Sequence, residues 1–309
     1  MTDRSSHADP AAEPGAGGGA SEARRHLSVG LARALGGALI FALPMLMTME
    51  MWQLGFYMDR ARLALLLLVN VPLLTALSYH VGFEETFRWW EDVRDALIAF
   101  GIGIVVSAVI LILFGVVAQA TPMDVVAQAT PMDVMAQATP IDELIGKIAL
   151  QAVPASIGAM LGRSQLGARR PDESPDPGGT AYASELFLMA IGALFLSLNV
   201  APTEEMVLIS FKMTEWHALA VVGLSLMLMH GFVYAVEFAG QASLAPGMPG
   251  WVGFLRFTVV GYALVLLISL YALWTFGRTD GTSLTQIAMA TAVLSFPGAI
   301  GAAAARLIL

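Results

Sequence analysis

Runs of about twenty apolar residues, separated by short polar stretches, organise this chain. A hydrocarbon core about 30 Å thick takes about 20 helical residues to cross. Segments of that length fall at 30–50, 62–80, 95–117, 143–162, 184–202, 217–237, 254–276 and 285–308. The pattern predicts an all-α membrane protein with eight transmembrane helices. Lys147 and Gln151 interrupt the fourth segment and make it the weakest. Trp52, Trp89, Trp90, Trp216, Trp251 and Trp274 all fall at or near segment ends, where amphipathic rings sit at a membrane surface.

The order of residues within the segments repeats. Gly37, Ala38, Leu39, Leu43, Thr48, Glu50 and Met51 recur 155 positions later as Gly192, Ala193, Leu194, Leu198, Thr203, Glu205 and Met206. Arg94, Phe114 and Gly115 match Arg256, Phe276 and Gly277 at an offset of 162, and Pro154, Ile157, Gly158, Ala159 and Arg163 match Pro297, Ile300, Gly301, Ala302 and Arg306 at 143. The drop in offset has a source: AQATPMDVV, AQATPMDVM and AQATPIDEL stand in tandem over 118–144. Removing two of these nonapeptides nearly restores a constant register, so a recent expansion sits inside an older duplication. The expected organisation is a cytoplasmic disordered tail at 1–27, a first four-helix repeat at 28–163 with the nonapeptide loop outside, a cytoplasmic linker at 164–182, and a second four-helix repeat at 183–309. With four crossings each, the repeats are parallel and related by an axis along the membrane normal.

Composition agrees with a membrane protein, at 57% apolar and 13% charged residues with a mean hydropathy of +0.72. Lys and Arg set the orientation, because cytoplasmic flanks retain cations. With both termini inside, Arg4, Arg24, Arg25, Arg33, Arg88, Arg94, Arg163, Arg169, Arg170, Arg256 and Arg306 are cytoplasmic, against Arg60, Arg62, Lys147, Lys212 and Arg278 outside. The net charge of −8 and the lack of a basic cluster exclude nucleic acid as a partner, which leaves the bilayer and a small cation or proton. No cysteine is present, so disulfides, thiolate metal sites and cysteine nucleophiles are excluded. Oligomeric state cannot be read from this pattern.

Two constellations carry candidate chemistry. Glu50 and Glu205 end the first and fifth apolar segments, behind Thr48 and Thr203, and Glu204 makes the second position doubly acidic. Acids at membrane depth usually face a protein interior or a water-filled path, so facing each other across the repeat axis they form an ion or proton site. On the sixth segment His230, Tyr234 and Glu237 share a face at i, i+4 and i+7, with His80 as a counterpart beside Tyr79; such a row can relay protons. The bland alternative is a histidine hydrogen-bonded to a neighbouring helix. Met45, Met47, Met49 and Met51 offer soft sulfur near Glu50, but without Cys or adjacent His they read as gap-filling residues, not a metal site. No nucleophile, metal cluster, cofactor motif or phosphate loop stands out, so the chain does not read as an enzyme.

The segment GFEETFRWWEDVRD invites comparison with intramembrane glutamate proteases, whose signature places three residues between paired glutamates and arginine. Only two separate Glu85 from Arg88, so protease activity is a remote alternative. The run GALIFALPMLMTMEMW together with GFEETFRWWEDVRDAL resembles a bacterial family of integral membrane proteins of unknown function. That resemblance implies the bacterial inner membrane and carries no activity. The resulting expectation is a transporter or channel for a small cation, proton or solute along the axis between repeats; the alternative is a non-transporting membrane scaffold or sensor.

Overall fold

The computed structural model describes residues 16–81, 89–114, 141–165, 180–235 and 250–308, and every regular element among them is helical. In order these are α1 (Ala16–Leu46), α2 (Met49–Tyr57), α3 (Arg60–Val81), α4 (Trp89–Leu113) and α5 (Ile141–Gln165). Then follow α6 (Thr180–Val200), α7 (Glu204–Lys212) and α8 (Glu215–Ala235). The short α9 (Gly250–Gly253) runs through a π-helical turn at Phe254–Val259 into α10 (Val260–Thr275), and α11 (Leu284–Ile308) closes the chain.

Among the described residues, seven helices are long and apolar enough to cross a bilayer: Ser28–Leu46, Arg60–His80, Trp89–Leu113, Glu143–Gly162, Tyr182–Val200, Phe254–Thr275 and Leu284–Ala305. The expected sixth crossing is α8, which meets that standard only jointly with α7, from which it bends by 120°. Counting that pair gives up to eight crossings. Helix α1 begins at Ala16, ahead of the boundary expected at 27, because the good helix formers of SEARRHL extend the helix backwards from the span. The nonapeptide region ends inside α5, which starts at Ile141; the rest of it lies outside the described residues.

The first and fifth crossings end earlier than the apolar pattern suggests, at Leu46 and Val200, and their glutamates do not close them. Thr48 and Thr203 adopt extended backbone (φ −95°, ψ 133° and φ −71°, ψ 141°), which breaks the chain into a long helix and a nine-residue one in each place. Each threonine turns its hydroxyl back onto the preceding helix: Thr48 Oγ1 donates to the Met45 carbonyl at 2.8 Å, Thr203 Oγ1 to the Val200 carbonyl at 2.9 Å. Trp52 Nε1 donates to the Leu46 carbonyl at 2.9 Å, and Arg278 to the Pro202 carbonyl. Carbonyls orphaned at the helix ends are thereby satisfied without water.

The last helix of each half forms its centre. Helix α5 is buried along its whole length from Leu150 to Gly162 and packs against α1, α2, α3 and α4. Helix α11 packs against α6, α7, α8 and α10. Glycines bring the backbones together: a β-carbon on Gly37 would strike the Gly158 carbonyl and lie 2.7 Å from the Gly162 Cα, and one on Gly192 would strike the Gly301 carbonyl. The small residues of α5 and α11 thus serve α1 and α6, not each other. Between the halves, Phe41 of α1 meets Phe195 of α6 with ring centroids 4.2 Å apart, and one apolar core runs through both.

Candidate functional site

The break after each long helix places the paired acids on short helices and off the first and fifth crossings. Glu50 stands half-buried in the first turn of α2, and Glu204 and Glu205 stand exposed in the first turn of α7. Acids there complement the positive end of a helix. Each short helix is seated on the central helix of its own half, α2 on α5 and α7 on α11. Glu204 pairs with Arg278 at 3.0 Å, so the second acid of that site belongs to a surface ion pair. The four methionines are pulled apart, with Met45 and Met51 buried and Met47 and Met49 exposed.

His230 and His80 occupy separate surroundings. His230 Nδ1 lies 3.2 Å from Thr258 Oγ1 of the π-helical turn, and its ring is edge-on to Phe254. His80 Nδ1 lies 2.9 Å from Ser184 Oγ and its ring is 4.9 Å from Phe187, so it joins α3 to α6 across the halves. Glu237 falls outside the described residues, as does the side chain of Tyr234; Glu84 and Glu85 of the protease-like segment do too.

Polar groups that the sequence assigned to no site stand in the interior. In the first half Glu143, Lys147 and Gln151 follow one another at i, i+4 and i+8 down the face of α5, with Lys147 Nζ 2.5 Å from Glu143 Oε1. These side chains are 8% and 17% exposed, so the ion pair is withdrawn from solvent. Gln151 Nε2 donates to the Ala42 carbonyl at 2.5 Å, which fixes the amide orientation and leaves Oε1 without a partner. Asn70 Nδ2 donates to Ser156 Oγ at 2.9 Å; that hydroxyl spends its own proton on the Val153 carbonyl, so the Asn70 oxygen is bare as well.

In the second half Tyr262 Oη lies 2.8 Å from Ser295 Oγ, and Ser197 Oγ and Ser269 Oγ are buried without partners. At the end of the bundle that carries the short helices, Arg62 Nη1 donates to the Trp274 carbonyl and Nη2 to Asp280 Oδ1, both at 2.8 Å. This guanidinium holds the Asp280 carboxyl below the usual carboxylate range. Residue-by-residue comparison of the two halves could have singled out Lys147 and Gln151, which correspond to Ala290 and Leu294 at the offset of 143; composition and periodicity could not.

A family model described as "Putative integral membrane protein (DUF2391)" matches residues 30–134 and 125–309, and the two matches meet inside the tandem nonapeptides. No curated protein and no solved structure matches the chain.

Proposed function

Because the chain belongs to this family of integral membrane proteins, we propose that it is a transporter or channel for a small cation or proton, built from two copies of one ancestral unit. One observation carries the reading. The interior of the bundle is polar where packing alone would be served by apolar residues: Asn70, Gln151, Ser197 and Ser269 each keep a buried oxygen without a protein partner. Such groups are costly in a membrane and mark paths or binding places.

Duplication supports it further. Each half runs long, short, long, long, long, with its last helix against all the others. At the offsets of 155 and 143, the Gly37–Gly158 contact corresponds to Gly192–Gly301. In the same register Lys147 and Gln151 correspond to Ala290 and Leu294 at the offset of 143, both buried. The fold therefore accepts apolar residues at those places, and the polar ones answer another need. Phe41 against Phe195 makes the middle of the contact between halves apolar, with polar ties only at the ends of α3, and this favours passage within a half over passage between them. Glu50 and Glu205, with Thr48, Thr203 and Glu204 beside them, then act as entrance charges.

That apolar contact also favours a second reading, a scaffold or sensor that anchors partners. Purified protein in liposomes, assayed with proton, Na⁺ and K⁺ dyes, separates the two. Protein-dependent flux of any of these ions supports transport. Folded, helical protein that conducts none leaves the scaffold.

A further inference from the structure

Resting on the transport reading, we propose that the second half carries a proton path: a file of hydroxyl and imidazole groups along α10 and its neighbours. It runs from His230 and Thr258 through Tyr262 and Ser295 to Ser197 and Ser269.

Thr258, Tyr262 and Ser269 lie at i, i+4 and i+11, on one face over three turns, or roughly 16 Å of helix at 1.5 Å per residue. All three are buried, and so are Ser197 of α6 and Ser295 of α11. The file opens where His230 Nδ1 meets Thr258 Oγ1 at 3.2 Å. One turn on, Tyr262 Oη meets the hydroxyls of Ser295, at 2.8 Å, and of Ser225; both donate to carbonyls of their own helices, so their oxygens are left to accept the Tyr262 proton.

Beyond this rung stand Ser197 and Ser269, and their rotamers are unusual. Ser107, Ser156, Ser210, Ser225 and Ser295 all return their hydroxyls to carbonyls of their own helices. Ser197 and Ser269 do not, and both point at one place instead. A β-carbon on Gly298 would lie 3.1 Å from Ser197 Oγ and 3.5 Å from Ser269 Oγ, with Val265 Cγ1 at 2.9 Å. Two unpartnered hydroxyls converging on a glycine from two helices suit bridging water, which closes the gap past Val265 to Tyr262 and Ser295.

The first half packs the same seam without these groups. In the register above, Ser197, Thr258, Tyr262, Ser295 and Gly298 correspond to Ala42, Ala96, Phe100, Ala152 and Ala155 (offsets 155, 162, 162, 143 and 143). Ser269 corresponds to Ser107, which binds the Gly103 carbonyl at 2.6 Å. The hydroxyls are therefore dispensable for packing.

Each hop forms one O–H or N–H bond on the receiving side as another breaks on the far side, and rotation of the hydroxyls and waters resets the file. Nothing is oxidised and no charge is left behind. The file itself holds no carboxylate to offset a cation's charge, and Val265 crowds it at Gly298, so the file suits a proton handed between hydroxyls better than Na⁺ or K⁺.

The test is proton flux into liposomes under a membrane potential, with Na⁺ and K⁺ flux measured in parallel. Tyr262→Phe, Ser197→Ala and Gly298→Ala each install the first half's residue; each should lower proton flux about tenfold, and the triple variant should abolish it, with helicity and melting temperature retained. Ser107→Ala, which removes a back-bonded hydroxyl from the matching seam, should leave flux unchanged. Wild-type proton flux in the folded triple variant overturns the path. So does Na⁺ or K⁺ flux without protons, which would leave the transport reading standing. Absence of all flux removes both.

Discussion

At the scale of single residues, Glu143 and Lys147 form the sharpest case of a charge pair withdrawn from water. Neither ion is stable there alone, because the cost of desolvating one is offset only by the other. Glu143→Gln leaves Lys147 unpaired and should lower unfolding free energy in detergent by about 3 kcal/mol. Adding Lys147→Ala completes the pattern of the second half, Gln286 and Ala290, and should recover most of the loss. A double variant as unstable as the single one would mean that the lysine stem, not the charge pair, holds α2 against α5. Nothing in the apolar pattern announced this pair, since Lys147 read only as a flaw in a span. Its burial follows from the lysine stem packing against Gly55, which leaves α2 no room for a side chain there.

At the scale of elements, the seams between α1 and α5 and between α6 and α11 rest on backbone contact, which apolar side chains alone do not supply in lipid. Gly37→Val would force these backbones apart, since its β-carbon meets the Gly158 carbonyl and not a side chain that can turn away. A loss of about 1–3 kcal/mol is expected from such overpacking. Gly101→Val provides the comparison, because that glycine has open space around it and should tolerate the change. Melting temperatures in detergent decide; equal losses would sink the seam as the stabilising feature. Gly158 and Gly162 stand at GxxxG spacing in α5, which the sequence carries, but it does not carry their partner. Spacing shows that a helix can be approached closely, and only the packed chain selects which neighbour does so. The helix breaks at Thr48 and Thr203 were hidden for a related reason, because MEMWQLGFY and EEMVLISFK continue the apolar run while their backbones turn away from it.

At the scale of the whole molecule, the halves are held by the apolar core around Phe41 and Phe195 and by polar ties at both ends of α3. Arg62 reaches Asp280 and the Trp274 carbonyl at one end, and His80 reaches Ser184 at the other. Asp280 titrates with a defined sign. Its folded carboxyl lies below the ordinary value of 3.8, chiefly through the hydrogen bond from Arg62, so its contribution is full above that value and is lost as pH falls through the folded one. The difference in melting temperature between the wild type and Asp280→Asn should therefore be constant from neutral pH down to about pH 5 and shrink only in stronger acid. A difference that grows on acidification would contradict the assignment. Since Asp280 is largely exposed, the effect should be small and weakened by salt.

By itself, the sequence determined that the chain is a multi-pass membrane protein and nearly where each crossing lies, because every crossing must present one bilayer's thickness of apolar surface whatever its neighbours. It also carries the matches of glycines, threonines, prolines and arginines on which the proposal of two ancestral copies rests. Tertiary structure decided which polar groups are buried and what they meet. Serine, tyrosine and glutamine fit a membrane helix equally well when bonded to their own backbone or turned toward a neighbour, and that choice depends on atoms contributed by distant helices. Glu50 and Glu205 stood out as letters and came to rest in the first turns of short helices, half-buried and exposed, whereas Ser197 and Ser269 were ordinary letters placed where nothing of their own helix satisfies them.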